Sequence, residues 1–403
     1  MAFPMLVAAF ALAFQLTSIS HRRLELQVSL DAAALAGANA LVDDILLSDL
    51  PERKSTVMGR VRERAERYAE LNTLLGDPVL LESNEENDRA GEIVVGRLPF
   101  PRSRDMDNSA SSDEDRNCTS LNTVRITAKR RGVSATSTAH LDRDVLGFKI
   151  EGSQSVPGQT APCIPVVPFA IFSDLKKRGD DGEKDDTKRR QPSWDEQMDS
   201  HRRTGDDEGR QDEDDGRSEH RGLRIPEIKL IISERERDAN DNACLVGVGV
   251  HKACDAVRQI RTGMTAEDLR SRNFQLLLGT GSRDEDERGR LTLPHLAPRE
   301  GDLAKIAAAL DAIRGEQRVW MLHPGEDQRD DDRNPIVGFV AGKVIHVKLE
   351  NVKDEKNEAH ERLVIILQPT MMITATAVTD RTRRNSDSRS ILNPYICRVR
   401  LVD

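Results

Sequence analysis

The sequence predicts an α+β protein. We expect a long N-terminal helix, transmembrane at first and amphipathic beyond, followed by a mixed, mainly antiparallel β-rich region with a few helices. Three observations lead to this class. The first 20 residues carry no charged side chain and are mostly Ala, Leu, Phe, Met and Val. Residues 24–47 contain no proline and are rich in alanine, the strongest helix former. Short apolar runs separated by turn residues fill most of the remainder, which is typical of strands.

The 403 residues are enough for two domains with linkers. We expect a transmembrane segment at 1–20, an alanine-rich helix extension at 21–50, an N-terminal α+β region at 51–175, a disordered charged insertion at 176–222 and a C-terminal α+β domain at 223–403. Charged residues make up 32% of the chain and aromatic residues only 3%. The core must therefore be built largely from aliphatic side chains.

Residues 1–20 are just long enough to cross a bilayer, because about 20 residues of helix span roughly 30 Å. The basic cluster His21-Arg22-Arg23 ends this apolar run. Two other interpretations stay open. A signal peptide could be cleaved near Ala11-Leu12-Ala13, although no Lys or Arg precedes that site. A core helix of a soluble protein would also be apolar. Because the basic residues follow the segment, the positive-inside rule alone places the C-terminal bulk in the cytoplasm.

The alanine-rich extension predicts helix from Leu24 to about Ser48, since Pro51 disfavours helix at the residue before it. Its centre reads Asp31-Ala32-Ala33-Ala34-Leu35-Ala36-Gly37, and Gln27 lies one turn before Asp31 so that the two side chains face each other. Small side chains let another backbone come close. This strip is therefore a helix-packing surface, either for other subunits or for the protein's own domain.

The rest of the chain alternates between helix and strand signals. We predict helices over Ser55–Gly76, Lys252–Arg261 and Leu303–Gly315, with strands at Glu92–Val95, Thr123–Ala128, Val133–Leu141, Val145–Ile150, Ile225–Ser233, Ala243–Val250, Arg318–Leu322, Ile336–Leu349, Arg362–Gln368, Met371–Val378 and Tyr395–Val402. The proline-punctuated run Pro162–Phe172 favours an edge segment over a central strand. Pro101–Asn117 is polar and predicts a poorly ordered loop.

Residues 176–222 differ in kind from their surroundings. Of these 47 residues, 28 are Asp, Glu, Lys or Arg, and none is Val, Ile, Leu or Phe. Ordering each residue costs on the order of 1–2 kcal/mol, which this composition cannot offset by burial. A calcium site is disfavoured, because Gly216 takes a ligand position after Asp212 and Asp214. In the second candidate, which starts at Asp330, Pro335 replaces the required glycine.

Composition and motifs argue against most chemistry. A net charge of −9 and a pI near 5.6 lack the basic footprint of a nucleic-acid-binding protein. The Gly247–Lys252 run resembles a phosphate loop but lacks the final glycine of the dinucleotide fingerprint. No Cys-x-x-Cys, His-Glu-x-x-His or Gly-x-Ser-x-Gly motif occurs. The pairing of the five cysteines stays open: Cys118, Cys163, Cys244, Cys254 and Cys397. We predict a protein without cofactor, metal, nucleic-acid partner or small-molecule substrate.

The Asp31–Gly37 motif behind an apolar segment resembles the N-terminal signature of the TadE/TadG-like proteins of bacterial Tad (Flp-type) pilus systems. Those proteins carry a single membrane anchor followed by an extended helix with this motif. Further segments are similar to larger relatives in the same order along the chain: Asn122–Thr127, Val257–Leu269, Ala309–Gly315, Ile336–Val340, Ile366–Pro369 and Asn393–Tyr395. Family members usually carry Arg residues before the span, so we expect the natural start to lie about a dozen residues upstream.

The resemblance implies a non-enzymatic, single-pass, pilin-like protein of the bacterial inner membrane, with its bulk in the periplasm. Its partners would be the lipid bilayer and other Tad or pilin-like proteins, and it would assist pilus assembly or anchoring. The alternative is a cell-envelope scaffold or adhesin held by the same transmembrane helix. A hydrolase with an unrecognised site is the third hypothesis, and a pocket of perturbed titratable residues would favour it.

Overall fold

The computed structural model describes residues 2–48, 53–98, 106–107, 121–150, 163–173, 194, 197–198, 225–234, 241–278, 291–324, 333–353, 359–379 and 393–402. It confirms the α+β class, with a long N-terminal helix and mainly antiparallel strand pairing. The chain forms two compact units. Unit 1 is Met1–Leu46, Leu50–Asp142 and Arg398–Asp403, and unit 2 is Leu47–Asp49 and Arg143–Cys397.

Unit 1 packs two helices on a small antiparallel sheet. Its described elements are α1 (Ala2–Ala40), η1 (Asp44–Leu47, whose last residue belongs to unit 2), α2 (Arg53–Glu70), β1 (Thr73–Leu74), β2 (Asp77–Pro78), β3 (Ile93–Gly96), β4 (Thr123–Arg130), β5 (Val133–Asp142) and the last residues of β20 (Ile396–Leu401). Strand β4 pairs with β3 and β5, and Arg398–Leu401 pairs with β5. Arg131 and Gly132, with φ of 48° and 81°, form the two-residue turn of the β4–β5 hairpin.

Helix α1 ends earlier than the sequence predicts. The α-helix stops at Ala40, and the 3-10 helix η1 replaces its expected last turns up to Leu47. The Asp43 carboxylate accepts the backbone N–H of Ile45 at 3.0 Å, so a local side-chain bond starts the tighter helix. Ile45 and Leu46 are both buried. We attribute the early end of the α-helix to the Asp43 bond and to the burial of Ile45 and Leu46, and not to proximity to Pro51.

Unit 2 is larger and is built around one twisted sheet. Its described strands are β6 (Val145–Lys149), β7 (Cys163–Ile164), β8 (Val166–Phe172), β9 (Ile228–Ser233), β10 (Ala243–Leu245), β11 (Met264–Thr265), β12 (Gln275–Leu277), β13 (Leu291–Pro294), β14 (Gln317–His323), β15 (Arg333–Ile336), β16 (Gly338–Lys353), β17 (Ala359–Pro369), β18 (Met372–Ile373) and β19 (Ala377–Thr379). Its described helices are α3 (Ala253–Thr262), η2 (Arg270–Arg272) and α4 (Asp302–Ala312).

Six strands form the main sheet in the order β10-β8-β14-β16-β17-β9, and only the β8–β14 pair is parallel. Helices α3 and α4 pack against each other, α3 on β8 and α4 on β16. Trp320 and Phe169 lie in the centre of the core with ring centroids 5.2 Å apart. Phe148 and Phe339 meet edge to face at 5.0 Å. These two aromatic pairs thus lie in the core of unit 2.

The expectation of an edge segment at Pro162–Phe172 is wrong. Strand β8 lies inside the sheet between β10 and β14, and all seven of its residues are buried. A proline costs a ladder hydrogen bond there. The pairing register between β8 and β14 shifts between Val319 and Met321, opposite the part of β8 that contains Pro168. This irregularity accommodates the missing N–H, while the Pro168 carbonyl still accepts Val246 N at 3.0 Å.

Part of the predicted disordered insertion is ordered. Trp194, Gln197 and Met198 lie within 176–222 and are all buried in unit 2. The prediction counted only aliphatic residues and phenylalanine and therefore overlooked two large apolar side chains. The remaining residues of 176–222 lie outside the described part of the chain. So do Asp330 and Asp332 of the rejected calcium pattern and all of Pro101–Asn117 except Met106 and Asp107.

Candidate functional site: the N-terminal helix

The first half of α1 has exposed apolar side chains around its whole circumference. Nine large apolar residues between Phe3 and Ile19 are each more than half exposed. At 3.6 residues per turn, Leu6, Val7 and Leu12 point in three directions roughly 100–140° apart. A helix on the surface of a soluble domain has one apolar stripe, whereas a helix that is apolar all round is normally covered by a protein core or by lipid. The described residues provide no such cover here.

The predicted motif lies in the second half of α1, which packs within unit 1. Four of its residues are buried: Ala33, Ala34, Ala36 and Gly37. A Cβ added to Gly37 would lie 3.2 Å from Val124, 3.4 Å from Val61 and 3.5 Å from Ala65. The small residues therefore let α2 and β4 approach α1 closely. The alanine-rich strip therefore packs on the protein's own domain, which is one of the two interpretations that the sequence left open.

The polar motif residues also point into unit 1. The Gln27 amide donates to the Asp31 carboxylate at 2.8 Å, as their spacing predicts, and to the Thr136 carbonyl of β5 at 3.2 Å. Ala32 and Leu35 are half-buried. The structure thus brings all eight predicted site residues together on one stretch of α1, and Gln27 links that stretch to the sheet.

The exposed and packed halves of α1 meet at the basic cluster. Leu26 and Leu30 are fully buried, whereas Leu24 and Val28 are more than half exposed. The Glu25 carboxylate accepts the backbone N–H of Leu75 at 3.1 Å, which ties the helix to unit 1 at this level. Glu25 also lies 3.2 Å from the His21 ring. The basic cluster therefore lies where α1 changes from a helix exposed all round to a helix with one buried face.

A second candidate is a cavity of about 930 Å³ beside α3, and a cavity with perturbed titratable residues is a feature that would favour the hydrolase hypothesis. It is lined by residues of the loop before α3, of α3 and of the turn after it, including Gly249, Cys254, Arg258 and Asp268. Gly249 has φ of 67°, and a Cβ there would lie 2.3 Å from the Asp268 carbonyl oxygen. The glycine of the phosphate-loop-like run is thus required for close packing against Asp268.

Asp268 is the most perturbed group of this cavity. Burial on its own would raise its pKa, but hydrogen bonds from Arg258 and Thr265 outweigh burial and lower the pKa below the usual 3.8. Arg258 forms an ion pair with Oδ1. Thr265 donates to Oδ2 from its backbone N–H at 2.7 Å and from its hydroxyl at 2.9 Å. Both oxygens are therefore engaged in fixing the turn after α3.

The cavity has further limits as a catalytic centre. Its described lining contains one thiol, Cys254, and no histidine. Among the described residues, no group of three His, Cys, Asp or Glu side chains is arranged to hold a metal ion. Charge-assisted hydrogen bonds from Arg258 and Thr265 hold the Asp268 carboxylate in place. Because both carboxylate oxygens of Asp268 already accept hydrogen bonds, neither is placed to act as a base or a nucleophile.

Residues of the later motif segments stabilise unit 2. The Asn393 Oδ1 accepts the N–H groups of Tyr395 and Ile396 at 2.9 and 3.1 Å, and its Nδ2 donates to the Phe339 carbonyl at 2.7 Å. The fully buried Gln259 donates to the Val248 carbonyl at 2.6 Å. These side chains satisfy backbone groups where loops meet the sheet.

Sequence reasoning missed Trp194, which is 1% exposed. Its indole N–H donates to the Tyr395 hydroxyl at 3.2 Å, and the two rings meet edge to face at 5.6 Å. A lone tryptophan within a strongly charged segment could have predicted this burial, because large aromatic side chains contribute strongly to cores and interfaces.

Within the described residues, no helix combines the length and apolarity needed to span a membrane. Comparison with protein-family models, curated proteins and solved structures finds no match to this chain.

Proposed function

We propose that this protein is a non-enzymatic, membrane-anchored, pilin-like component that assists assembly or anchoring of a Tad-type pilus. One observation carries the proposal: a single continuous helix of 39 residues has an apolar half that is exposed all round and a second half packed into unit 1. The first half lies in the bilayer, and the second half holds unit 1 at its surface. The TadE/TadG-like motif, Asp31–Gly37, falls within the packed half.

The proposal depends on the exposure of these side chains. An uncovered apolar surface of this extent exceeds what a monomeric soluble protein normally leaves in water. Lipid covers such a helix without a specific partner, and its backbone groups are already bonded within the helix. The cluster at His21–Arg23 then lies at the level of the headgroups, where long basic side chains near a helix end reach the membrane–water interface.

The first experiment tests anchoring and orientation in the native bacterium. The full-length chain should stay in the membrane fraction after alkaline carbonate extraction. Orientation follows from a variant that keeps Cys163, an exposed thiol, as its only cysteine. A membrane-impermeant maleimide should label it in intact spheroplasts, since we place the bulk of the chain in the periplasm. Recovery of the unmodified chain in the soluble fraction would contradict anchoring.

The second experiment tests the pilus role. Deleting the gene should abolish assembled pili, and the detergent-extracted protein should co-purify with components of the Tad machinery. Complementation with the full-length chain should restore piliation. Normal piliation of the deletion strain, together with membrane retention of the protein, would reject the pilus role and favour the envelope scaffold or adhesin.

A further inference from the structure

Unit 1 exposes a second group of large apolar side chains beyond the apolar half of α1. Among the described residues that follow Ile19, seven such side chains are exposed, and all seven belong to unit 1. The last is Leu401, and we call the other six the collar: Leu24, Val28, Tyr68, Leu71, Leu75 and Leu80. Single exposed leucines are normal on a protein surface. The collar differs from them because the contacts of unit 1 bring its members to one end of the unit.

The C-terminal end of α2 points towards the apolar half of α1. Gly37 of α1 packs on Val61 and Ala65 of α2, whereas the Ser29 hydroxyl donates to the Ala69 carbonyl at 3.4 Å. Since higher numbers on α2 meet lower numbers on α1, the two helices are antiparallel. The collar residues at the end of α2 therefore lie near those of α1.

The β1–β2 hairpin that follows α2 reaches the same level. The Glu25 carboxylate of α1 accepts the backbone N–H of Leu75 at the hairpin tip, at 3.1 Å. Glu25 comes five residues after Ser20, which places this contact about 7.5 Å beyond the uncharged apolar segment at 1.5 Å per residue. The headgroup layer of a bilayer is about 5–8 Å thick on each side. Leu75 therefore lies at headgroup depth when residues 1–20 cross the hydrocarbon core.

Leu80 lies where the chain leaves the same hairpin. The Val79 N–H donates to the Asn72 carbonyl at 3.1 Å, so the chain returns beside the end of α2. The Asn72 side-chain amide donates to the Tyr68 carbonyl at 2.6 Å. The backbones of Tyr68, Leu71 and Leu80 therefore lie close together, and each of these side chains is at least 47% exposed.

Leu75 has a backbone conformation that leucine rarely adopts. Leu75 and Gly76, with φ of 55° and 86°, form the two-residue turn between β1 and β2. A turn with positive φ at both positions favours Asn-Gly, because the Cβ of another residue crowds the following carbonyl there. The Leu75 side chain is 42% exposed, so burial within unit 1 only partly offsets this strain. Strain that is retained at an exposed position points to a contact outside the protein.

We propose that unit 1 docks on the lipid surface through the collar, as a second bilayer contact beside that of α1. The inference rests on the proposed function, because it requires the apolar half of α1 to lie in lipid. Leu71, Leu75 and Leu80 enter the boundary between headgroups and acyl chains, the depth that interfacial apolar faces occupy. The Tyr68 phenol stays among the headgroups, where amphipathic aromatic side chains are enriched. Docking fixes one orientation of unit 1 to the membrane, whereas the helix alone would let the unit rotate about its axis.

The first test measures whether the collar contacts lipid. Full-length Leu71→Trp is reconstituted in phosphatidylcholine vesicles whose acyl chains carry bromine near the headgroup, since bromine quenches tryptophan on contact. Trp194 and Trp320 are buried in unit 2, and the unmodified chain supplies their baseline. Bromine should remove at least half of the added emission. Undiminished emission from a chain that stays in the vesicles would overturn docking but leave anchoring intact, whereas release of the chain from the vesicles would overturn both.

Leu401→Trp is the matched control, because Leu401 is an exposed leucine of the same unit far from the collar. It pairs with Ala139, and Ala139 pairs with Val124. Val124 in turn lies against Gly37, which is about 18 Å further along α1 than Glu25. Bromine should not change the emission of this control. Equal quenching at both positions would contradict the proposal, because the lipid contact would then not be confined to the collar.

The second test separates docking from folding with Leu75→Asn. Asparagine suits the turn, so the thermal midpoint in detergent micelles should not fall. In vesicles, quenching of the Leu71→Trp reporter should fall at least twofold, because the hairpin tip no longer enters the lipid. Leu401→Asn is the control and should leave this quenching unchanged. A lower midpoint would show that Leu75 serves the fold of unit 1, and unchanged quenching would show that it does not contact lipid; either result would refute its role in docking.

The third test separates lipid from a second copy of the chain as the occupant of the collar. Quenching of the Leu71→Trp reporter by brominated lipid should be the same in vesicles that hold one chain and in vesicles that hold many. Quenching that decreases as chains are crowded would show that another copy covers the collar. That result would reject lipid as its partner, while the anchoring of α1 would still be measured by retention of the chain in the vesicles.

Discussion

The side-chain amide of Asn87 pairs with both backbone polar groups of Val95. Its Nδ2 donates to the Val95 carbonyl at 2.7 Å, and its Oδ1 accepts the Val95 N–H at 2.9 Å. Val95 lies in β3, an outermost strand of the unit 1 sheet, and its groups face away from β4. In unit 2 the Asn242 carboxamide bonds to two residues of the outermost strand β9: its Oδ1 accepts the Ile231 N–H at 2.7 Å, and its Nδ2 donates to the Lys229 carbonyl at 2.8 Å. Carboxamides thus protect an edge strand in each unit.

This arrangement closes a sheet edge that would otherwise be open. An exposed edge strand is a template for pairing with another chain, and proteins commonly block it with charges, prolines or bulges. An amide that supplies one donor and one acceptor satisfies the edge in the same way as a neighbouring strand. Closed edges therefore limit non-specific association between copies of the chain.

Asn87→Asp should destabilise unit 1 by about 2 kcal/mol at pH 7, because the Val95 carbonyl loses its donor and faces a buried negative charge. Burial raises the pKa of the introduced carboxyl, and its protonated form donates again. The deficit should therefore shrink as the pH falls. Urea denaturation of both chains at pH 7 and pH 5 measures it. Asn72→Ala is the control, since Asn72 makes one exposed bond to Tyr68. An equal, pH-independent loss in both variants would contradict the edge interpretation.

Asp268→Asn tests the turn beside α3. The folded-state pKa of Asp268 is lowered, so the ionised carboxylate stabilises the protein above its unfolded pKa near 4. That contribution is lost as the pH falls through the folded value. Asp268→Asn should cost about 2–4 kcal/mol at pH 7, and the difference from the unmodified chain should narrow below pH of about 4.

The control for Asp268→Asn is Glu267→Gln, because Glu267 is the exposed neighbour on the same turn. It should change the free energy of unfolding by about 0.5 kcal/mol or less. Urea midpoints recorded between pH 3 and pH 7 provide the comparison. A constant difference over that range would show that the charge of Asp268 does not stabilise the turn.

Much of the strand pattern could be predicted because alternation reports a half-buried sheet. The predicted strands Thr123–Ala128, Val133–Leu141 and Arg362–Gln368 lie inside β4, β5 and β17. Bulges could not be predicted in this way. Val344 and His346 should share a face by parity, yet Val344 is buried and His346 exposed. The register of β16 with β17 shifts at this point, so one extra residue reverses the alternation.

The candidate site was predictable in part. The change in α1 from an uncharged apolar segment to a small-residue helix is visible in composition, and the structure places their boundary near Leu24. Composition does not reveal which element meets the alanines, because α2 and β4 become neighbours of Gly37 only through long-range folding. The capping role of Asn87 was equally hidden, since an asparagine in a turn normally bonds to its own backbone.

Leu12→Arg should weaken membrane insertion by about 3 kcal/mol, the cost of an arginine at the centre of a helix on translocon scales. Leu71→Arg is the matched control, because Leu71 is a comparably exposed leucine of unit 1 outside the apolar half of α1. Alkaline carbonate extraction of both variants measures the result. The first variant should appear in the supernatant and the second should remain with the membrane. Equal extraction of both would show that residues 1–20 do not hold the protein in the bilayer.

Gly37→Leu should disrupt unit 1 rather than assembly alone. Even a Cβ at this position meets Val124 at 3.2 Å, and overpacking a close contact costs about 1–3 kcal/mol or more. Gly59→Leu is the control on α2, where an added Cβ meets nothing within 4 Å and replacing glycine in a helix gains up to about 1 kcal/mol. The two variants should therefore shift the thermal midpoint in opposite directions. If Gly37→Leu kept the midpoint but abolished piliation, the alanine strip would serve partner subunits instead of the protein's own fold.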